Sequence, residues 1–217
     1  MALRVVVEAA PKRAFASALD WPGWSRGAKT EDEALRALVV YRDRYAAVAR
    51  RARIRFDAPV TVRGLSIVQR VDGGAGTDFG IPSLPAADES RALHARDLKR
   101  LIALLRAAWA EFDAVAAKAH GVSLRLGQRG GGRQVPKMVE HVREAEAAYV
   151  AQLGSKVAGS ASMDELRDAF VAALMARAAG DEPSHPNKVR KRWEPRYAVR
   201  RSAWHALDHA WEIQDRS

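Results

Sequence analysis

The chain has 217 residues, 48% of them apolar, which is enough to bury a sizeable core in one large or two modest domains. It has no cysteine, so disulfides, zinc ribbons and thiol nucleophiles are excluded. Thirty-six Lys and Arg against 26 Asp and Glu give a net charge of +10, and 28 of the 36 are Arg. That balance allows nucleic acid or anionic ligands, but it also fits a compositional bias towards Arg and Ala on solvated faces. The only apolar run near the start, Val5-Val6-Val7, stops at Glu8, and no stretch approaches the roughly 18 apolar residues of a membrane span. The expectation is a soluble, cytoplasmic protein with no membrane partner.

Leu3 to Glu8 and Ala14 to Leu19 are short apolar, strand-like runs around an Ala-Pro-Lys-Arg turn, and predict a hairpin. Asp20-Trp21-Pro22-Gly23-Trp24 follows as a rigid turn. Its two tryptophans are expected to pack in the core or an interface. Thr30 with Glu33 forms a capping box for a helix expected from Glu31 to about Arg51. Ile54–Phe56, Val60–Val62 and Leu65–Val71 are strand-like, parted by Pro59 and Gly64. Residues 1–75 therefore predict a small α+β unit. Residues 76–87 predict a linker rich in Gly and Pro, from which Asp78 and Phe79 could reach a cleft.

From Asp88 the pattern changes to long amphipathic helices. Asp88 is a candidate cap for a helix running to about Lys118, with Leu98, Leu101, Leu105, Trp109 and Phe112 on one stripe. A loop with Arg125, Arg129 and Gly130-Gly131-Gly132 follows. The second helix is expected from about Val135 to Leu153, with Met138, His141, Val142, Ala145 and Tyr149 inward. Ser162 and Glu165 cap a third, ending near Ala179, and Pro195 starts a fourth that runs close to the C-terminus. The whole is an α+β chain whose residues 88–217 predict an antiparallel four-helix bundle.

His205 and His209 lie four apart on the fourth helix, so both rings leave one face. Two such imidazoles can share a divalent ion at about 2.0–2.1 Å. A metal needs a third protein ligand, and His141 on the inward stripe of the second helix supplies it. Three neutral imidazoles leave a position open for water or substrate. The plainer alternative is three histidines satisfied by hydrogen bonds in a polar core. Asp208 and Glu212 are candidates to orient a ligand ring, and Glu144 and Asp208 are candidate general bases. Bundle salt bridges would explain these carboxylates equally. Trp204 and Trp211, seven apart, predict core or a dimer seam. His94, His120 and His185 are expected to be non-ligands. The basic run Lys188, Arg190, Lys191, Arg192, Arg196, Arg200 and Arg201 could receive an acidic cosubstrate or nucleic acid.

A histidine on the second helix with His-x-x-x-His on the fourth resembles the DinB/YfiT-like superfamily. The matching segments are Val139–Glu146 around His141 and Arg201–Glu212 around His205 and His209. The resemblance covers about residues 88–217. It implies a divalent metal, usually zinc or nickel, on those three histidines. It also implies a homodimer and metal-dependent chemistry on a small molecule: a transferase, isomerase or hydrolase, in some members with a low-molecular-weight thiol as cosubstrate. Residues 3–50 resemble the HicB-like fold through the strand pair, the Leu19–Trp24 turn and the Thr30–Leu35 helix start. Antitoxins of that fold add a DNA-binding element that is not evident here. The alternative expectation is a non-catalytic module binding nucleic acid or protein through this unit and the basic surface. A further alternative keeps the metal for stability alone.

Overall fold

The two N-terminal runs do pair. In the computed structural model, which describes residues 2–126, 132–181 and 192–217, β1 (Leu3–Ala9) runs antiparallel to β2 (Ala14–Ala18), with Val5 opposite Ala18 and Val7 opposite Ala16. β2 pairs antiparallel with β3 (Ser25–Ala28), and β1 pairs parallel with β4 (Leu65–Asp72), giving the order β3-β2-β1-β4. Successive strand residues face opposite sides, and all five residues of β2 are buried. The sheet is therefore covered on both faces at its centre. Among the described residues the chain is α+β, with seven α-helices and one four-stranded mixed sheet.

The helix expected over Glu31–Arg51 is two helices, α1 (Glu31–Val40) and α2 (Arg42–Arg51). The capping box of Thr30 and Glu33 is formed as predicted. The break falls at Tyr41, whose ψ of 3° leaves the helical range. No Gly or Pro marks the place. Instead the Tyr41 ring packs on Trp211 with centroids 5.1 Å apart, and the Arg26 guanidinium lies 3.8 Å from its centre. Trp24 is fully buried, stacks on Tyr45 at 5.4 Å, and donates from Nε1 to the Leu38 carbonyl at 2.9 Å. Trp21 packs edge-on to Phe56 and Tyr45. Both tryptophans are core and packing residues.

Of the three strand-like runs after α2, only Leu65–Asp72 is a strand. Ile54–Phe56 and Val60–Val62 alternate suitably but join neither edge of the sheet, and Phe56 packs among Trp21, Trp24 and Tyr45. A short 3-10 turn occupies Val62–Gly64.

The segment 76–87 is docked through the buried carboxylate of Glu8. Glu8 accepts hydrogen bonds from the Thr77 hydroxyl, the Ser83 amide at 3.0 Å, the Ser83 hydroxyl at 3.2 Å and the Leu84 amide at 3.1 Å. α3 (Ala75–Phe79) leads into it. The first long helix does not start at Asp88. Asp88 sits in a second 3-10 turn, Ala87–Ser90, and pairs with Arg4 at 2.7 Å. α4 begins at Ala95 and runs to Lys118, about 36 Å.

α5 (Val135–Gln152), α6 (Met163–Ala179, capped by Ser162 and Glu165) and α7 (Pro195–Arg216) follow the expected bounds closely. α7 packs on α4, α5 and α6. It also receives the sheet: Phe15 of β2 meets Trp204 edge-on at 6.1 Å. One hydrophobic cluster runs unbroken from Val5, Val7 and Trp24 through Leu105 and Phe112 to Leu207 and Trp211. Trp211 belongs to this cluster, and Trp204, 4% exposed, is buried against Phe15. No described helix is long and apolar enough to cross a membrane.

The Trp21–Trp24 turn meets α7 at Gly23. There φ is +91°, and a Cβ would stand 2.8 Å from Leu207 Cδ1 and 3.0 Å from Ala203. Only glycine adopts that backbone while letting the helix approach so closely. Gly23→Ala is expected to lower unfolding stability by roughly 1–3 kcal/mol, read by chemical denaturation. An unchanged midpoint would show that the turn does not bear on α7 as described.

Candidate metal centre

Two helices bring three imidazoles together. α5 carries His141; α7 carries His205 and His209 one turn apart. His205 Nε2 lies 3.1 Å from His141 Nε2 and 3.2 Å from His209 Nε2. Ligand atoms of the three all fall within 4.8 Å of one another. The rings meet at 70° to 87° with centroids 4.7 to 5.1 Å apart, so they converge on a point rather than stacking. Three nitrogens held tetrahedrally at 2.0–2.1 Å from one ion would stand about 3.3–3.4 Å apart. The observed contacts with His205 are slightly shorter than this.

Hydrogen bonding within the triad does not account for the arrangement. An imidazole nitrogen has one in-plane site, either one N–H or one lone pair. His205 Nε2 faces two nitrogens, so at most one of the two contacts can be a full hydrogen bond. Burial holds the His205 proton affinity well below the usual histidine range, with the charge of His209 adding to the effect. His141 is lowered by the same two causes in the same order. Both rings are therefore neutral near neutral pH and offer lone pairs, the form in which histidine binds a metal. His205 Nδ1 is buried without a hydrogen-bond partner.

His209 has its tautomer fixed from behind. Its Nδ1–H donates to Glu212 Oε2 at 3.0 Å, which turns Nε2 to the centre. The other Glu212 oxygen accepts from Arg216 Nη1 at 2.6 Å. Glu212 is held below the usual carboxylate range, first by the His209 hydrogen bond and also by Arg216. Arg216 further donates to the carbonyls of Arg125 and Arg133, tying the chain just before α5 to the end of α7. The helix bearing His141 and the helix bearing the pair are thus fixed to each other near the site.

The remaining candidates separate clearly. Asp208 makes no hydrogen bond to the three histidine rings and pairs with Arg26 at 2.9 Å, joining α7 to β3. Glu212, not Asp208, is the carboxylate hydrogen-bonded to one of the three imidazoles. Glu144 is exposed and makes no hydrogen bond among the described residues, though its charge reaches His141. His94 and His120 are exposed at the two ends of α4. His185, Arg129, Gly130, Gly131, Lys188, Arg190 and Lys191 lie outside the described residues. Phe79 is exposed, and Asp78 accepts from the Lys12 amide at 2.8 Å.

Sequence reasoning missed a polar layer in the same helices. Glu146 is fully buried on α5. It accepts from Ser202 Oγ at 2.7 Å and Trp109 Nε1 at 3.1 Å, while its Oε2 has no partner. Its spacing from Val142 and Tyr149 places it on the inward stripe, the one signal available beforehand. Burial pushes its carboxyl up to about 7. The folded form therefore binds a proton that the unfolded chain has released. The stability this proton contributes is complete below the usual carboxyl value and is lost as pH rises towards 7. Wild-type unfolding free energy should fall over that window by up to roughly 3 kcal/mol, and Glu146→Gln should lack that component. Equal pH slopes in the two proteins would remove Glu146 as its source.

Compared with models of protein families, with curated proteins and with solved structures, the chain finds no match.

Proposed function

We propose that this chain is a divalent-metal protein in which His141, His205 and His209 hold one zinc or nickel ion, and that the ion serves chemistry on a small molecule. The carrying observation is that His205 Nε2 faces two imidazole nitrogens at 3.1 and 3.2 Å when it can hydrogen-bond to only one. A cation that takes all three lone pairs removes that conflict. The ligand order, one histidine on α5 and a pair on α7, supports reading residues 88–217 as a DinB-like four-helix bundle. The N-terminal sheet and helices are then a HicB-like unit packed on it.

A divalent ion so held supplies Lewis acidity, polarising a substrate oxygen or lowering the pKa of a water or thiol beside it. The chain's own residues prepare the place. Burial keeps His141 and His205 unprotonated. Glu212 holds the His209 tautomer, and Arg216 holds Glu212. Tyr149 closes one side, its ring centroid 5.9 Å from that of His205. Glu144, exposed near His141, is the carboxylate free to move protons, whereas Asp208 is engaged by Arg26. The reaction class this supports is metal-assisted transfer, isomerisation or hydrolysis, with a low-molecular-weight thiol as the candidate cosubstrate.

The purified chain should take up one equivalent of zinc or nickel by elemental analysis. His205→Ala and His209→Ala should each abolish stoichiometric uptake. Retention of a full equivalent in both variants, or none in the wild type, would end the proposal. Glu212→Gln should keep the fold but weaken metal binding about 10- to 100-fold, measured by chelator competition. An unchanged affinity would show that the Glu212–His209 hydrogen bond does not tune the site.

A further inference from the structure

The basic run before and into α7 divides sharply in the structure. Arg196 donates to Asp97 at 2.6 Å. Arg200 is bidentate on Glu89 at 2.6 and 2.9 Å. Arg201 has no such partner. Four arginines are buried among the described residues: Arg167, Arg200, Arg201 and Arg216. Arg167 pairs with Asp113, Arg200 with Glu89 and Arg216 with Glu212. Arg201, 7% exposed, forms no ion pair among the described residues. Among the described residues its one hydrogen bond runs from Nη2 to the Tyr149 hydroxyl at 3.3 Å, and Nε and Nη1 are buried without an acceptor.

What surrounds this guanidinium favours a cation without completing it. The Trp204 and Tyr149 ring centres lie 4.8 and 5.6 Å from its central carbon. Aromatic faces attract positive charge but accept no strong hydrogen bond. Glu146 uses Oε1 for Ser202 and Trp109, its Oε2 meets no donor among the described residues, and the cation whose charge bears on it is Arg167. A buried charge with unfilled donors is costly unless an anion completes it.

The position gives that anion a purpose. Arg201 is one turn before His205 on α7, and both side chains lie against Tyr149. Tyr149, having accepted from Arg201, keeps its own O–H to donate. We propose that Arg201, with Tyr149, recognises the carboxylate of a small-molecule substrate or cosubstrate whose reacting end lies at the three histidines. One guanidinium balances one negative charge, which favours a carboxylate over a phosphate dianion. The placing of the reacting end rests on the metal reading; anion binding by Arg201 does not.

The full-length chain tests this with acetate as probe, at constant ionic strength near neutral pH. Chelator-treated wild type should show a saturable rise in Tm with acetate, a smaller one with inorganic phosphate, and none with acetamide, its neutral isostere. Arg201→Met should lose the acetate response. In cobalt-loaded protein, acetate should shift the visible bands, with an apparent Kd about tenfold weaker in Arg201→Met. Equal responses to acetate and acetamide in wild type, equal or greater stabilisation by phosphate, or an unaltered acetate response in Arg201→Met, would overturn the proposal. Should that variant not fold, the wild-type comparison of acetate, acetamide and phosphate decides. Failure of cobalt to bind while the Arg201-dependent acetate effect persists would refute the metal centre and leave the anion site standing. Cobalt binding without an acetate effect would do the reverse.

Discussion

Burial of α7 around its whole circumference is the constraint on which the rest depends. Sixteen of its 22 residues are buried, and they include three arginines, two histidines and a serine. A buried polar group must find a partner or carry a desolvation penalty of order 1–3 kcal/mol, more for a charge. Much of the tertiary structure supplies those partners. Glu89 meets Arg200, Glu212 meets Arg216, and Glu146 and Trp109 meet Ser202. Among the places where partners fall short are the meeting of three imidazole nitrogens and the guanidinium of Arg201, the one buried arginine with no ion pair among the described residues. Both point towards ligands, and they adjoin each other through Tyr149.

The same burial explains why the N-terminal unit belongs to the site's architecture without touching the histidines. The sheet lays Phe15 against Trp204, Gly23 lets the turn approach Ala203 and Leu207, and Arg26 holds Asp208. The connecting segment is fixed at Glu8 on β1 and through Glu89 on α7. A buried ion pair such as Arg200–Glu89 is weak evidence of added stability, since desolvation offsets the attraction. Its consequence here is geometric: it sets where the connecting segment crosses α7.

Much of this was legible in the sequence because it is local. Helical periodicity and caps placed α5, α6 and α7 within a residue or so, and four-residue spacing put His205 and His209 on one face. The inward stripe of α5 singled out His141. The misreadings are all decided by distant contacts. The helix parts at Tyr41, whose ring sits on Trp211, 170 residues away by number. Ile54–Phe56 has strand alternation but joins neither edge of the sheet; its Phe56 packs among Trp21, Trp24 and Tyr45 instead. Asp208 and Glu212 both neighbour the histidine pair, and only the folded positions of Arg26 and His209 show which carboxylate bears on a ring. Arg201 looked like one more member of a basic run. Its difference from Arg200 and Arg196 is that no carboxylate among the described residues stands across from it, which no local pattern encodes.

The central claim is that three imidazoles converge because they hold an ion. X-ray absorption at the metal edge of the zinc- or nickel-loaded protein tests it most directly. The account predicts a shell containing three imidazole nitrogens, for zinc at about 2.0–2.1 Å, that is lost from the His205→Ala protein. A shell of solvent oxygens alone, with no imidazole scattering, would contradict it.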